Sequence, residues 1–483
     1  MGSGALTVTG ATTLADNVNI TATGGITFSS TIDADNAGSN DRTLTMTSGT
    51  GNTISVAGNI GGGSGLAGLT ITQSNGTTFS GNVNVNDVNG GGGTITITDT
   101  EDGSDVIFTG GVTTDTLDLG QAGYDLIFNG GGTFTNAVTF DNTGTLNLGN
   151  AAGDTFTFNG GLTESTTGTV TLASAISSSN DAISFGAVTL GANTTIDTNA
   201  SSTTGDLTLG VVTGGSNTLT LSTGDNVANS DITASGNISG VTTLTLADVG
   251  GTATLSGDVD VTTLTVGNTV ANVAFTGGGS SVANAVSFAN DGTLNLGAAA
   301  NITFTGGLTT TSVGGTVTLE GIINSDDADI TLGAITLTSA RFVGVRTDMI
   351  AGGSGGDLTI SGNVTGGGEA FGLSTEGHFS SSVNTVGNVT GSGNITNVTD
   401  LDVLHVSGTA TFSGNVSATT LTIPNNVVNL VMTGSSNTVT SAATFANTGT
   451  LNLGNAAGDT FTFNGGLTET TTGTVTLASV ISS

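Results

Sequence analysis

The feature that most constrains the fold of this chain is the repetition of one long segment. Residues 144–178 occur again as residues 449–483, with only two substitutions between the copies. A looser version of the same segment occupies residues 292–319. Repetition of this kind is typical of proteins in which one structural unit stacks on the next. We therefore predict a repeat architecture rather than a string of globular domains.

Shorter matches extend the repetition over the rest of the chain. Residues 183–187 recur as residues 330–334, and residues 253–257 recur as residues 410–414. No linker separates the copies, and the chain contains a single proline. We predict three solenoid super-repeats that form one continuous rod, with these boundaries: 1–187, 188–334 and 335–483.

Alternation inside each super-repeat predicts short β-strands. The runs TLNL at 145–148, TFTF at 155–158 and TVTL at 169–172 place apolar side chains on one face and Thr or Asn on the other. Each run is bounded by Gly, Asn or Asp, which tolerate the backbone of tight corners. Only 8% of the residues are charged, too few for the solvent faces of helices. The predicted fold class is all-β: a single-stranded β-solenoid, a right-handed parallel β-helix of roughly 20 coils.

A string of immunoglobulin-like sandwiches is the alternative all-β architecture. It requires a period of ~100 residues and buried aromatic anchors such as Trp. This chain has no Trp, one Tyr and no linker between its repeats. These observations favour the solenoid, whose core consists of side chains stacked coil on coil.

Two runs resemble a known type of repeat. The run NDAISFGAVTLGANTTID at 180–197 and the run GITFSSTID at 25–33 resemble the repeats of filamentous-haemagglutinin-like adhesins and autotransporter passengers. The resemblance implies a right-handed β-helix from a large bacterial surface protein. It also implies a secreted location, on a bacterial cell surface or in an extracellular matrix. The chain starts without a secretion domain and ends without a membrane barrel, so we expect a repeat region rather than a complete adhesin.

The charge of the chain restricts its partners. The formal net charge is −33, Lys is absent, and Arg occurs three times. Nucleic-acid binding depends on Lys and Arg that displace counterions from phosphates, so we exclude a nucleic-acid partner. No apolar run reaches the ~20 residues needed to cross a bilayer, so we predict no membrane insertion. Cys is also absent, which excludes disulfides and thiolate metal sites.

The side chains needed for catalysis are scarce. Glycosidases use two carboxylates that flank the scissile bond, and β-helical lyases add a basic residue. This chain lacks Lys and Trp, and its two histidines, His378 and His405, are far apart in sequence. We therefore predict no enzyme, no catalytic residue and no cofactor-binding residue. A β-helix that binds or cleaves polysaccharide stays as an alternative function.

Acidic clusters provide candidate metal ligands. Carboxylate oxygens are preferred ligands of Ca²⁺. Residues 352–360 also approach the calcium nonapeptide of the RTX β-roll, although Thr359 stands where that repeat needs a large apolar residue. A solvated acidic loop or a plain turn is the competing interpretation. The candidate Ca²⁺ ligands are Asp99, Glu101, Asp102, Asp105, Asp326, Asp327, Asp329 and Asp357.

One stretch breaks the even spacing of the copies. The offset between copies grows within residues 339–384, which indicates an insertion of about ten residues, and two of the three arginines lie there. We predict a protruding loop that carries binding specificity, with Arg341, Arg346 and His378 as its candidate residues. A neutral surface insertion is the alternative, because lengthening a loop costs little.

The leading functional hypothesis is a structural or adhesive extracellular rod. It would be a repeat segment of a large bacterial surface protein, or a subunit of an extracellular filament or biofilm matrix. An uncapped solenoid end exposes unpaired strand edges, which favours end-to-end self-association. Cell-surface or matrix glycans are further predicted partners. Ice binding through Thr-X-Thr arrays is an alternative, although these triplets are unevenly spaced here.

Overall fold

The computed structural model describes residues 4–35, 42–86, 92–224, 227–297, 301–338, 342–349, 355–376 and 387–483. Over this part of the chain the protein is an all-β parallel β-solenoid of about 20 turns, and it contains no helix. The fold predicted from the alternating runs is confirmed. Because there is no helix among these residues, there is also none that is long and apolar enough to cross a membrane.

The chain forms two compact units. The first comprises residues 1–242 and 248–251, and the second comprises residues 243–247 and 252–483. The division into three super-repeats stays a prediction from the sequence. Two strands, Ile238–Leu246 and Val249–Leu255, contain residues of both units.

The first unit consists of short strands, most of them three or four residues long. The strands that belong wholly to it are Leu6–Val8, Thr12–Leu14, Val18–Thr21, Ile26–Phe28, Ile32–Ala34, Thr43–Thr47, Ile54–Val56, Gly68–Gln73, Thr77–Phe79, Val83–Val85, Thr94–Ile97, Asp105–Phe108, Val112–Thr114, Thr116–Leu119, Asp125–Phe128, Gly132–Phe134, Val138–Phe140, Leu146–Leu148, Thr155–Phe158, Leu162–Glu164, Val170–Leu172, Ala175–Ser178, Ile183–Phe185, Val188–Leu190, Thr194–Asp197, Leu207–Leu209, Val212–Thr213, Thr218–Ser222 and Ile232–Ala234.

The second unit has the same construction with several longer strands. The strands that belong wholly to it are Val259–Val266, Val270–Phe275, Ser281–Val282, Val286–Ser287, Leu294–Leu296, Asn301–Phe304, Leu308–Thr309, Val317–Leu319, Ile322–Asn324, Ile330–Leu332, Ile335–Leu337, Phe342–Arg346, Leu358–Ile360, Val364–Thr365, Ala370–Ser374, Val389–Gly391, Ile395–Val403, Val406–Phe412, Val416–Ile423, Val427–Met432, Ser436–Val439, Ala443–Phe445, Leu451–Leu453, Thr460–Phe463, Leu467–Glu469, Val475–Leu477 and Val480–Ser482.

Three strands of one coil pair in parallel with the corresponding three strands of the next coil. Since the register is kept, apolar side chains stay inside and the alternate residues face outward. In the first unit one such set joins Val138–Phe140 to Leu162–Glu164, Leu146–Leu148 to Val170–Leu172, and Thr155–Phe158 to Ala175–Ser178.

The core is a series of columns in which like side chains stack from coil to coil. In the first unit Phe79, Phe108 and Phe128 occupy one column, and their ring centroids lie 4.9 Å apart at each step. This distance follows the ~4.8 Å spacing of paired strands, so in-register rings stack face to face. All three rings are buried. The core of this unit is therefore packed as side chains stacked coil on coil, as predicted for a solenoid.

Glycine is required where one corner lies directly on another. In the first unit a Cβ atom on Gly81 would come within 2.5 Å of the carbonyl carbon of Gly58, and one on Gly110 within 2.6 Å of that of Gly81. Gly130 continues the column above Gly110. Real Cβ atoms do not approach a backbone so closely, so these corners accept glycine alone. This close stacking accounts for part of the high glycine content of the chain.

The predicted insertion corresponds to two long coils in the second unit. Asp357 follows its partner Asp329 in the coil below by 28 residues, and Asn388 follows Asp357 by 31 residues. The next step, from Asn388 to Thr409, takes 21 residues. The extra residues therefore lie in the coil between Asp329 and Asp357 and in the coil between Asp357 and Asn388.

Candidate functional site

The first acidic cluster lies at corners of the first unit, where its side chains bind backbone. The carboxylate of Asp102 accepts the N–H of Gly123 at 3.1 Å, and that of Glu101 accepts the N–H of Gly51 at 3.2 Å. Asp105 begins a strand, in register with a residue of the next coil. Asp102 thus bonds to the adjacent coil, and Glu101 bonds to a coil two steps below it.

Asp99 lies near a buried phenol. Tyr124 is fully buried, and burial raises the pKa of its hydroxyl. The negative charge of Asp141 raises that pKa further, and those of Asp118 and Asp99 add smaller contributions, whereas a backbone hydrogen bond from Gly120 opposes the shift. Burial is therefore the main reason that the pKa of Tyr124 is raised, and the charge of Asp99 is the smallest of the contributions.

The second acidic cluster forms a ladder along one corner of the second unit. Asp329 accepts the N–H of Asp357 at 2.8 Å, and Asp357 accepts the N–H of Asn388 at the same distance. Asp327 has a left-handed backbone, with a φ of 57°, and its carboxylate accepts the N–H of Gly355 at 3.1 Å. These carboxylates therefore cap the coil above them.

No group of three or more His, Asp or Glu side chains is placed to hold a metal ion within the described ranges. Asp326 contributes its backbone N–H to a bond with the carbonyl of Thr305, 3.2 Å away. The calcium assignment stays a prediction, and the geometry gives most of its residues a structural role.

Asn side chains at the corners also accept a backbone N–H from the next coil, a bond that was not predicted from the sequence. In the second unit Asn363 accepts the N–H of Asn394, Asn394 accepts that of Asn415, and Asn415 accepts that of Ser436, each at 2.9 Å. The signal was present as the recurring pair Gly-Asn directly before a β-branched residue, as in Gly362-Asn363-Val364. An Asx side chain at this position replaces a backbone carbonyl as the acceptor for the next coil.

Of the predicted binding-loop residues, the structure describes Arg346; Arg341 and His378 lie outside the described residues. Arg346 ends the strand Phe342–Arg346, and its Nε donates to Oδ1 of Asn324 at 2.9 Å. Burial lowers the pKa of the guanidinium. Arg346 is therefore part of the coil wall, bonded to the coil below.

Three ionisable side chains in or next to the long coils are buried, and the sequence did not indicate them. They are Asp348, Glu376 and His405. Burial raises the pKa of Glu376, a hydrogen bond with Ser407 opposes this shift, and the charge of Asp348 adds to it. Burial also lowers the pKa of His405, whose Nε2 lies 2.6 Å from Nδ2 of Asn426. Burial therefore disfavours the charged form of both Glu376 and His405.

A shallow groove of about 590 Å³ lies on the outer surface of the first unit. Its polar lining consists of amides and hydroxyls, among them Asn59, Asn82, Asn84, Thr113 and Thr133. Among the described residues that line it, none has a charged side chain or an aromatic ring. It offers hydrogen bonds to a polar surface but neither an acid–base pair nor a platform for a sugar ring.

The strands at both ends of the described chain are each paired on one side. At the end of the second unit, Val475 is 37% exposed, Leu477 57%, Val480 54% and Ile481 36%. These side chains belong to an open last coil, which we define as the strands Leu467–Glu469, Val475–Leu477 and Val480–Ser482. The open first coil, at the start of the first unit, comprises Leu6–Val8, Thr12–Leu14 and Val18–Thr21.

Comparisons of the chain with models of known families, with curated proteins and with solved structures gave no match. The class that the fold defines is the parallel β-solenoid.

Proposed function

We propose that this protein is structural or adhesive extracellular material at a bacterial surface or in a biofilm matrix. It would serve as a repeat segment of a large surface protein of the filamentous-haemagglutinin-like or autotransporter-passenger type, or as a subunit of a filament. Its partners would be further copies of itself, stacked end to end, and surface or matrix glycans. The single observation that carries the proposal is that the polar side chains at the corners bond to the adjacent coil.

Several carboxylates at the corners bond to backbone groups of other coils. Asp102, Asp327, Asp329 and Asp357 each accept a backbone N–H from another coil, so their charge maintains the stack. Glu376 is buried. A surface of hydroxyls, amides and scattered carboxylates suits many weak contacts with a matrix and gives solubility through its charge.

Two measurements test the proposal. One is the resistance of the folded chain to proteolysis, and the other is its adhesion to matrix polysaccharide. Trypsin is unsuitable because the chain has three Arg and no Lys. We expect the full chain to survive a broad-specificity protease under conditions that digest casein completely. Beads coated with it should bind matrix polysaccharide above the level of uncoated beads. The matched control is Gly110→Val, whose Cβ would collide with Gly81 in the coil below.

Rapid digestion of the unaltered chain would contradict the proposal. Release of oligosaccharides from a polysaccharide would instead favour the polysaccharide-cleaving alternative.

Ice binding is a second candidate, supported by one column of outward-facing threonines. In the first unit Thr113, Thr133 and Thr157 are in register on consecutive coils. The column continues with Ser177 and then Asp197, which interrupts the hydroxyl array. Thermal hysteresis of a solution of the full chain tests this candidate, and its absence would dismiss it.

A further inference from the structure

The groove on the first unit runs along the stack of coils rather than across it. It extends from Asn59 to Thr155, and the coils between these residues pair in register. Four coil-to-coil steps of ~4.8 Å make the groove about 19 Å long. A site of this length, open along the outside of the stack, suits an extended molecule better than a compact ligand.

The depth of the groove comes from two coils that lack a side chain at one corner position. In four successive coils this position is held by Asn59, Asn82, Gly111 and Gly131, whose carbonyls each accept a backbone N–H of the coil below. Gly111 and the two neighbours of Gly131 line the groove. The two glycines therefore leave a recess above the two asparagines.

One row of the lining presents amide donors in a fixed direction. Oδ1 of Asn59 accepts the N–H of Asn82, and Oδ1 of Asn82 accepts the N–H of Gly111, each at 3.0 Å. Because each amide oxygen is held by the next coil, the NH₂ group of the same amide points away from that backbone. Both side chains are exposed and line the groove. The row therefore offers hydrogen-bond donors ~4.8 Å apart, at the spacing of the coils.

A second row of the lining presents an amide oxygen and hydroxyls. Asn84, Thr113 and Thr133 are in register on consecutive coils. Nδ2 of Asn84 donates to the carbonyl of Gly61 at 3.0 Å, which fixes the direction of the amide oxygen. Thr113 and Thr133 are exposed, and each hydroxyl can donate or accept a hydrogen bond. The two rows run side by side, because Asn82 and Asn84 are two residues apart and face outward from the same coil.

The lining disfavours a charged partner. None of the described residues that line the groove is charged, and the whole chain has a net charge of −33 with no Lys. The charge of the chain repels an acidic polymer, and the described lining has no Arg to bind its carboxylates or sulfates. An uncharged partner avoids both costs.

The position of the groove also disfavours a peptide strand. Extended peptides add to the unpaired edge of a sheet, where backbone N–H and C=O groups are available. The groove instead lies on the outer face of strands that already pair with the coils above and below them. A partner must therefore bond to side-chain amides and hydroxyls.

We propose that this groove binds a linear, uncharged polysaccharide that lies along the stack of coils. Sugar hydroxyls both donate and accept hydrogen bonds, so they match a row of donors beside a row of acceptors and hydroxyls. The sugar rings contact the groove through their hydroxyl-bearing edges, because the described lining has no aromatic ring for a sugar face to stack on. This inference rests on the proposed function, because it names the class of glycan and the site that binds it.

The affinity of one groove for a short oligosaccharide should be weak. Each contact replaces a hydrogen bond to water, so we expect a dissociation constant on the order of 1 mM. A polymer presents many equivalent segments, and several copies of the chain on one polymer bind more tightly than one. The measurement must therefore detect weak binding to a polymer.

Affinity electrophoresis meets this requirement. The net charge of −33 drives the native chain through a gel, and an embedded polysaccharide that binds the chain slows it. The gels contain dextran, glucomannan or hydroxyethyl cellulose, which are uncharged, or alginate, which is acidic. We expect at least one of the uncharged polymers to slow the chain relative to a non-binding reference protein, and alginate to leave its relative mobility unchanged.

Asn82→Asp tests the row of donors without removing the corner bond. An Asp oxygen can still accept the N–H of Gly111, as the carboxylate of Asp329 accepts a backbone N–H in the second unit. The NH₂ donor is lost, so we expect about tenfold weaker binding of the polysaccharide. The matched control is Asn193→Asp, in the first unit but outside the groove, where Oδ1 also accepts a backbone N–H at 3.0 Å. Its binding should equal that of the unaltered chain.

Thr113→Val tests the second row and is a variant of unchanged net charge. Valine keeps the branched shape at this exposed position and removes the hydroxyl, so we expect binding to weaken about threefold. The control is Thr139→Val, which is also exposed on a strand of the first unit and lies outside the groove. Circular dichroism spectra and melting temperatures of all four variants should match those of the unaltered chain.

Equal binding by Asn82→Asp and Asn193→Asp, or by Thr113→Val and Thr139→Val, would overturn the inference, because the glycan would then bind elsewhere. Unchanged mobility in all three uncharged polymers would also overturn it. Protease resistance together with adhesion to an acidic polysaccharide would in that case still support the proposed function. Rapid proteolysis of the unaltered chain would instead count against the proposed function, whatever its mobility in the gels.

Discussion

Residues 144–178 and residues 449–483 have nearly the same sequence and very different surroundings. In the first copy Leu172 is buried beneath the next coil, whereas its equivalent Leu477 is the most exposed large apolar side chain among the described residues. The substitutions between the copies involve neither position. The difference teaches that burial in a solenoid is a property of the neighbouring coil, because each coil contacts only the coils above and below it.

The local structure of the two copies is the same despite this difference. The carboxylate of Asp154 accepts two consecutive backbone N–H groups, of Asn150 and Ala151, at 2.9 and 3.0 Å. Asp459 closes the same turn in the second copy, at 2.8 and 3.1 Å. The following strand covers both turns alike, since the N–H of Ala175 donates to the carbonyl of Asp154 at 2.9 Å and that of Val480 to the carbonyl of Asp459 at 2.7 Å.

The largest expected difference is in the loss of stability on truncating the equivalent leucines. Leu172→Ala leaves a cavity between two coils and should cost about 2–5 kcal/mol. Leu477→Ala should change stability by less than about 0.5 kcal/mol, because that side chain is already solvated. Urea unfolding of dilute, monomeric protein gives both values. Equal losses would show that the last coil is covered in the monomer and would break the comparison.

A pair of asparagines should instead behave alike in the two copies. Nδ2 of Asn142 donates to Tyr124 and Thr145, and Nδ2 of the equivalent Asn447 donates to Val428 and Thr450. These acceptors lie in the coil below or in the same coil. Replacement of either Asn by Ala should therefore cost a similar ~1–3 kcal/mol through unpaired buried carbonyls.

Differential scanning calorimetry of the two Asn variants measures this pair. A much smaller loss of stability for Asn447→Ala would mean that the hydrogen bonds of Asn447 to Val428 and Thr450 are already weakened in the unaltered protein.

The equivalent glutamates should separate the copies again, by a smaller amount. Glu164 holds the N–H of Gly186 in the covering coil, so Glu164→Ala should cost about 1–2 kcal/mol. Glu469→Ala should change the stability by less than about 0.5 kcal/mol, because the carboxylate of Glu469 accepts the N–H of Thr471 in its own coil. Thermal unfolding of the two variants measures the difference. A loss of stability for Glu469→Ala as large as that for Glu164→Ala would contradict it.

The smallest expected effect on stability concerns the buried carboxyl group of Glu376. The pKa of Glu376 is raised in the folded protein, so the contribution of this group to stability is fully present below its unfolded pKa. It is lost as the pH rises through the folded pKa. Glu376→Gln should therefore raise the melting temperature slightly at neutral pH and flatten its fall between acid and neutral pH. Melting curves across this range check it, and a lower melting temperature at neutral pH would contradict it.

The hydrogen-bond partners of the acidic residues could not be predicted from the sequence. Asp329 and Asp357 are predicted calcium ligands because clustered carboxylates suit that ion, and that assignment stays a prediction. The structure adds that each carboxylate accepts a backbone N–H 28 or 31 residues further along. Composition alone does not reveal that function, since the partner is set by the length of the coil between them. The burial of Asp348, Glu376 and His405 was missed for the same reason, because it depends on the coils that lie above and below these residues.

The two-residue alternation and the Gly and Asx corners were sufficient to predict parallel strands, an apolar core and the solenoid class. These features depend on residues close in sequence, and strand and turn preferences act at that range. The tertiary structure alone decided which carboxylates bond to a coil and which ionisable groups are buried. Those properties depend on the coil that lies above, and coil length places it at distances that local sequence patterns do not encode.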